Sequence, residues 1–216
     1  PTAAPVTTMA PWAVNLAAQN NTFAGLNPGA MSLTQLFAVE DKIVHKIDNS
    51  VLGFVLVKPG HDFVTVNSFS SPATTQASVQ RGVDAADSGF TVNVAAGTYN
   101  EVNVKINKPL TLLGAQANVA CGSRGAESIV QDLTNSGLPV FTINSDDVTI
   151  NGFEIIGPWA NCGVEAGSTK PNNVTIKFNN IHDIGSSRGS GNVYAVRYLV
   201  GNAVTISNIS ITDNCI

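Results

Sequence analysis

His182 and Asp183 stand side by side, and Arg188 follows a few residues later inside the stretch Gly185-Ser186-Ser187-Arg188-Gly189-Ser190-Gly191. An imidazole next to a carboxylate, with a guanidinium near, is the strongest catalytic grouping in the chain. His182 would serve as base and Arg188 as charge stabiliser. The opposing reading is a surface loop, because a Gly/Ser-rich loop is a poor rigid platform for chemistry. Trp159, Tyr194, Arg197 and Tyr198 carry the flat groups that stack on sugar rings, and they serve equally well as corner packing. Asp146 and Asp147 are adjacent acids, but Asn172 and Asn173 fill the same turn position one repeat later, which reads as a corner. Glu154 faces outward from its strand with no acidic partner in view. His45 on a strand and His61 in a turn read as structural residues. The three cysteines, Cys121, Cys162 and Cys215, include no CxxC pair, so no metal site is expected from them.

These residues need elements to hold them. Residues 1–30 are broken by Pro1, Pro5, Pro11 and Pro28 and read as an extended arm. Residues 31–70 read as a small β module with strands at Leu36–Glu40, Ile43–Ile47, Gly53–Val57 and Asp62–Asn67, parted by turns at Asp48-Asn49-Ser50 and Lys58-Pro59-Gly60. Residues 71–89 hold a Ser/Pro/Thr linker and a short helix. Ser78 can cap that helix, and Val79, Val83 and Ala86 share one of its faces. From residue 90 to 216 short apolar runs alternate with Asn, Gly and Asp turns.

Two columns repeat in that last part. One is an apolar-Thr-apolar triplet: Val148-Thr149-Ile150, Val174-Thr175-Ile176 and Val204-Thr205-Ile206, spaced by 26 (148 to 174) and 30 (174 to 204) residues. The other sets Leu110-Thr111-Leu112-Leu113-Gly114 against Phe153-Glu154-Ile155-Ile156-Gly157, spaced by 43 (110 to 153). Irregular periods of this size mark a solenoid, in which each rung buries its apolar residues only by stacking on the next. Thr111, Thr149, Thr175 and Thr205 then form one outward column. A single Thr per rung, interrupted by loops, is not the paired array of an ice-binding surface. The second alignment also sets Cys121 beside Cys162 in loops leaving the same corner, and a disulfide between them is expected in an oxidising compartment. The alternative is two unrelated loop thiols, and Cys215 is expected as a free thiol in the last rung.

Residues 82–114, GVDAADSGFTVNVAAGTYNEVNVKINKPLTLLG, resemble the N-terminal cap and first rungs of the pectate-lyase-like right-handed β-helix superfamily, most specifically in AAGTYNE and KPLTLLG. The resemblance covers residues 90–216 and their cap. It implies an all-β, right-handed parallel β-helix solenoid with an N-terminal cap helix, here preceded by the β module and the arm. It also implies carbohydrate chemistry for the enzymes of the group, which use clustered outward carboxylates to bind Ca²⁺ or act as acid and base. No such cluster stands out here, so no cofactor is expected, Ca²⁺ being the one ion the resemblance leaves open.

Composition narrows function further. Charged residues make up 12% of the chain and hydrophobic residues 44%, with a net charge of -4. That excludes a basic nucleic-acid surface and fits the neutral polar faces of extracellular β proteins. No apolar run has membrane-spanning length. The last rung carries no polar cap, so either more chain follows Ile216 or another molecule covers it. The expectation is a non-enzymatic bacterial surface or extracellular protein, structural or adhesin-like, that self-associates head-to-tail into filaments. A carbohydrate-active lyase or epimerase, or a glycan-binding module taking polysaccharide, is the alternative.

Overall fold

The computed structural model describes residues 14–167, 169–199 and 206–216. At the N-terminal side β1 (Leu16–Ala17) pairs in parallel with β2 (Val55–Leu56). Between them lies α1 (Leu33–Glu40), where the sequence reading expected a strand over Leu36–Glu40. A reciprocal cap explains the difference. Ser32 Oγ accepts from the Gln35 N–H, and the Gln35 side chain accepts from the Ser32 N–H, so two of the helix's orphan donors are satisfied. Leu36 and Val39 then pack with Met31, Val57 and Phe63 in a small core of their own. Ile43–Ile47 forms turns, not a strand.

Parallel strands in three stacks make up most of the remainder. The first stack runs β3 (His61–Val64), β4 (Thr91–Val94), β7 (Leu110–Leu113), β10 (Val148–Asn151), β13 (Val174–Lys177) and β16 (Ile209–Thr212). The second runs β5 (Gly97–Asn100), β8 (Ser128–Gln131), β11 (Phe153–Ile156) and β14 (Asn180–His182). The third runs β6 (Val104–Ile106), β9 (Pro139–Ile143), β12 (Cys162–Ala166) and β15 (Tyr194–Tyr198). From β4 onward the chain visits the three stacks in rotation. The described residues are thus mostly β with two α-helices, an arrangement compatible with a parallel β-helix. The first stack begins at β3, inside the segment read from sequence as a separate module.

Alternation decides which side chains enter the core. In the first stack Val92, Leu112, Ile150, Ile176 and Ile211 follow one another in register, and Asp62 heads the same column. Tyr99, Val130, Ile155 and Ile181 do so in the second stack, and Val104, Phe141, Val164 and Val196 in the third. Outward from the first stack Thr91, Thr111, Thr149, Thr175 and Ser210 form the hydroxyl column. Thr205 lies outside the described residues.

The register corrects the repeat. Val174 pairs with Ile209, so the spacing after 26 residues is 35, and β16 takes the place expected of Val204–Ile206. Leu110 pairs with Val148, and Phe153 belongs to the second stack beside Ser128. Gly114 therefore matches Gly152, not Gly157. Two apolar strands ending in Gly, one in each of two stacks, had produced the slip.

Corners are made by residues in the left-handed region. Asp147, Asn173 and Asn208 precede β10, β13 and β16, and Asn173 and Asn208 each donate through Nδ2 to the Oδ1 one rung back, both at 2.8 Å. After the strands come Gly152, Phe178 and Asp213, also with positive φ. Asx side chains tolerate this backbone and replace lost ladder bonds. Helix α2 (Val79–Ala85), capped by Ser78 as expected, packs against β3, β4 and β6. Its Arg81 donates to the carbonyls of Ile47, Ser68 and Gln76.

Candidate functional site

Strands β11 and β14 bring His182 together with two carboxylates on the outer face. Asn180 is Glu154's direct partner, and His182 lies two residues further along on the same side. His182 Nε2 meets Glu154 Oε1 at 2.8 Å, and Nδ1 meets Asp183 Oδ2 at 2.9 Å. Asp183 adopts φ 55°, which ends β14 and turns its carboxylate back toward the ring. Partial burial lowers the pKa of this imidazole, but hydrogen bonds and charge from Glu154 and Asp183 outweigh it and hold the pKa above the ordinary value. The ring is thus held between two carboxylates, each at hydrogen-bond distance. A shallow hollow of about 300 Å³ opens beside it, walled by Ile184, Val193, Tyr194 and Ile216. Glu154, left without a partner in the sequence reading, is the residue that completes the cluster.

Arg188 does not join it. Its Nη1 donates to the Trp159 carbonyl at 3.2 Å, in a different hollow, so the expected His182/Asp183/Arg188 grouping divides in two. The remaining ring-bearing candidates also separate. Arg197 is the cross-strand partner of Glu165 and pairs with it through Nε at 2.6 Å and through Nη2, while its guanidinium lies 5.3 Å from the Tyr194 ring centre. Tyr198 continues the inward column Ile106–Ile143–Ala166, and its hydroxyl is buried without a partner, so it packs in the core. Trp159 borders the Arg188 hollow.

The cysteines bond differently from the expectation. Cys121 is joined to Cys215, with Cα atoms 5.9 Å apart, and Cys162 is free and buried. The register gives the reason. Cys121 lies in an insertion, residues 114–127, that occupies the corner filled by Gly152 alone one rung later. Cys162 is not in a loop but opens β12 with its side chain inward, where Sγ donates to the Val164 carbonyl at 3.1 Å. Burial pushes its thiol up to about 12, so it holds its proton. Arg124 fastens the same insertion, pairing with Glu127 and donating to the carbonyls of Phe178 at 2.6 Å and Phe153 at 3.2 Å.

Glu40, His45 and Asp48 gather two carboxylates and an imidazole in one buried place. Hydrogen bonding argues against a metal there. The Val55 N–H donates to His45 Nδ1 at 3.0 Å, so the ring proton is on Nε2, facing Glu40 Oε1 at 2.5 Å. Asp48 Oδ2 accepts from the His45 N–H at 2.8 Å. A metal at Nε2 would require the proton on Nδ1, against the Val55 N–H. His61, at the start of β3, stacks on Phe63 and meets the Asn93 side chain at 3.2 Å. Asp146 and Asp147 serve the corner ladder, Asp146 Oδ1 accepting from the Asn172 N–H at 2.7 Å. They are thereby engaged and offer Ca²⁺ no assembled set of ligands.

No family model matches the chain, and neither the curated proteins nor the solved structures yield a match.

Proposed function

We propose that the chain is a non-catalytic extracellular or cell-surface structural protein of adhesin-like type, carried on a right-handed parallel β-helix of the pectate-lyase-like kind. The observation that supports this is the use made of its polar side chains. Asn151, Asn173, Asn179, Asn208, Asn214 and Ser128 bond to side chains or backbone of the adjoining rung. That is the chemistry of a durable rod, with corners locked and one hydroxyl column facing outward. The Cys121–Cys215 disulfide supports an oxidising location, and no described helix is long and apolar enough to cross a membrane. Self-association belongs to the proposal: β14, β15 and β16 are the outermost described strands of their stacks, and Tyr194 and Ile211 are partly exposed there.

A carbohydrate-active enzyme or glycan-binding module is the second reading, favoured by the Glu154–His182–Asp183 cluster beside its hollow. Electron microscopy and light scattering of the native protein test the first reading. Elongated assemblies support it. A monodisperse monomer that degrades or epimerises a polysaccharide, with activity lost in His182→Ala, overturns it.

A further inference from the structure

The chain has four arginines, and three of them are satisfied. Arg124 and Arg197 are ion-paired, and Arg81 donates to three carbonyls. Arg188 is different. Its Nη1 has the Trp159 carbonyl, but Nε is buried with no acceptor, and Nη2 has none among the described residues. A guanidinium offers five donors in a planar fork, and a buried donor without a partner is a cost that folded proteins rarely carry.

The position of this guanidinium is built by its surroundings. Backbone bonds from Gly185 to Gly157 and from Ser187 to Pro158, both 2.8 Å, tie the Gly/Ser loop onto the preceding rung. The loop is thus anchored, and Arg188 projects from a fixed base. Gly137, at φ 67°, leaves the space the guanidinium occupies, since a Cβ there would lie 3.2 Å from Nη1. A hollow of about 340 Å³ opens in front, lined by Asn135, Ser136, Gly137, Trp159, Arg188 and Ser190. Its side-chain lining contains a cation, an amide, an indole and two hydroxyls; the Ser136 hydroxyl donates to the buried Asp132 carboxylate behind the wall, which leaves Ser190 as the free one among the described residues.

We propose that this hollow is a binding site for an oxyanion, a carboxylate or sulfate group, held end-on by the Arg188 Nη groups, with Nε enclosed behind them, and assisted by Asn135 and Ser190. The fork matches two oxygens of such a group at once, which a lysine cannot do. The site is separate from the Glu154–His182–Asp183 cluster and does not depend on the structural reading above.

The test is an NMR titration of the ¹⁵N-labelled full chain with sodium acetate and with sodium sulfate, each compared with sodium chloride at equal ionic strength. Saturable shifts are expected in the Gly137, Gly189 and Ser190 amides and in Arg188 Nε–H. The better of the two anions identifies the group the site takes. Arg188→Gln should weaken binding at least tenfold, and Arg188→Lys should recover only part of it. Asn135→Asp places a carboxylate in the wall, and it should abolish anion binding with the rest of the spectrum intact. Shifts that match those with chloride, or that persist unchanged in Arg188→Gln and Asn135→Asp, overturn the proposal.

Discussion

Replacing Asp62 by Asn removes an ionisable group for which the fold provides no partner. The side chain is 1% exposed, neither oxygen has a hydrogen-bond donor, and it heads the interior column continued by Val92 and Leu112. Burial first, then the charges of Glu40 and Asp87, raise its pKa from 3.8 to about 8, with Lys108 and Lys46 opposing. In the folded chain at neutral pH the group is therefore protonated, whereas in the unfolded chain it is ionised. The folded state binds the proton more tightly, so stability falls as pH rises from about 4 to about 8 and levels off above that. Each pH unit in this window costs about 1.4 kcal/mol, and the cumulative cost reaches on the order of 5 kcal/mol. Asn has nearly the same shape and stays neutral. Urea unfolding of both proteins from pH 4.5 to 8.5, at constant ionic strength, should give near-equal stabilities at the acid end. The variant should then gain by several kcal/mol toward pH 8. Glu40, Asp48 and Glu101 are also raised by burial, and their slope is common to both proteins. A stability difference that stays flat across this range would refute the reasoning, since it would mean that Asp62 is ionised and solvated in the folded chain.

Three further outcomes follow from the geometry. Cys121→Ser opens a cross-link spanning 94 residues and should lower stability by up to about 4.7 kcal/mol on a chain-entropy estimate; adding reductant should then change the melting temperature of the parent protein but not of the variant. Gly152→Ala should cost about 3 kcal/mol or more, measured by urea unfolding, because its Cβ would fall 2.1 Å from the Ala117 nitrogen at a φ of 83°. His45→Leu leaves Glu40 and the Val55 N–H buried without their hydrogen-bond partner and should destabilise by about 3 kcal/mol, and Zn²⁺ should not raise the melting temperature of the parent protein, since both ring nitrogens are already engaged.

Much of the fold was legible because it depends on local chemistry. Val-Thr-Ile triplets state which residues face inward, Asn and Asp state where the chain bends, and Ser78 ahead of Val79, Val83 and Ala86 marks α2. Helix α1 is also marked, by Ser32 and Gln35 at capping-box spacing, but the run Leu36–Glu40 reads on its own as a strand. Register was less legible. Strands of all three stacks share the same inward-outward pattern, so Leu110–Gly114 and Phe153–Gly157 look alike although they belong to different stacks. That one slip carried Cys121 to Cys162 and away from Cys215. The Glu154–His182 contact was hidden for a related reason: a partner 28 residues away is visible only once β14 is known to lie on β11.

The two ends of the described chain differ in where burial raises the pKa of an acid. Beyond β7, several buried or half-buried bonds between rungs use neutral amides, Asn118 with Asn151 and Asn179 with Asn214, whose hydrogen bonding does not vary with pH. Before it, around α1, β3 and α2, lie four acids whose pKa is raised by burial, Glu40, Asp48, Asp62 and Glu101, beside neutral buried groups such as Asn93 and Ser68; beyond it the buried acid Asp132 accepts from the Thr134 N–H and from the Thr134 and Ser136 hydroxyls. Amide bonds recur along the stacks, as where Asn179 and Asn214 donate to the Ile150 and Ile176 carbonyls one rung back. A buried acid requires a specific partner supplied by irregular chain, as His45 is for Glu40 and the start of α2 is for Glu101. Asp62 has none, and it lies where α2 and the first stack meet. Acids whose pKa is raised by burial therefore concentrate in the segment that covers the first rungs, while in the rungs behind it the amide bonds do not vary with pH and His182 is an imidazole whose pKa is raised.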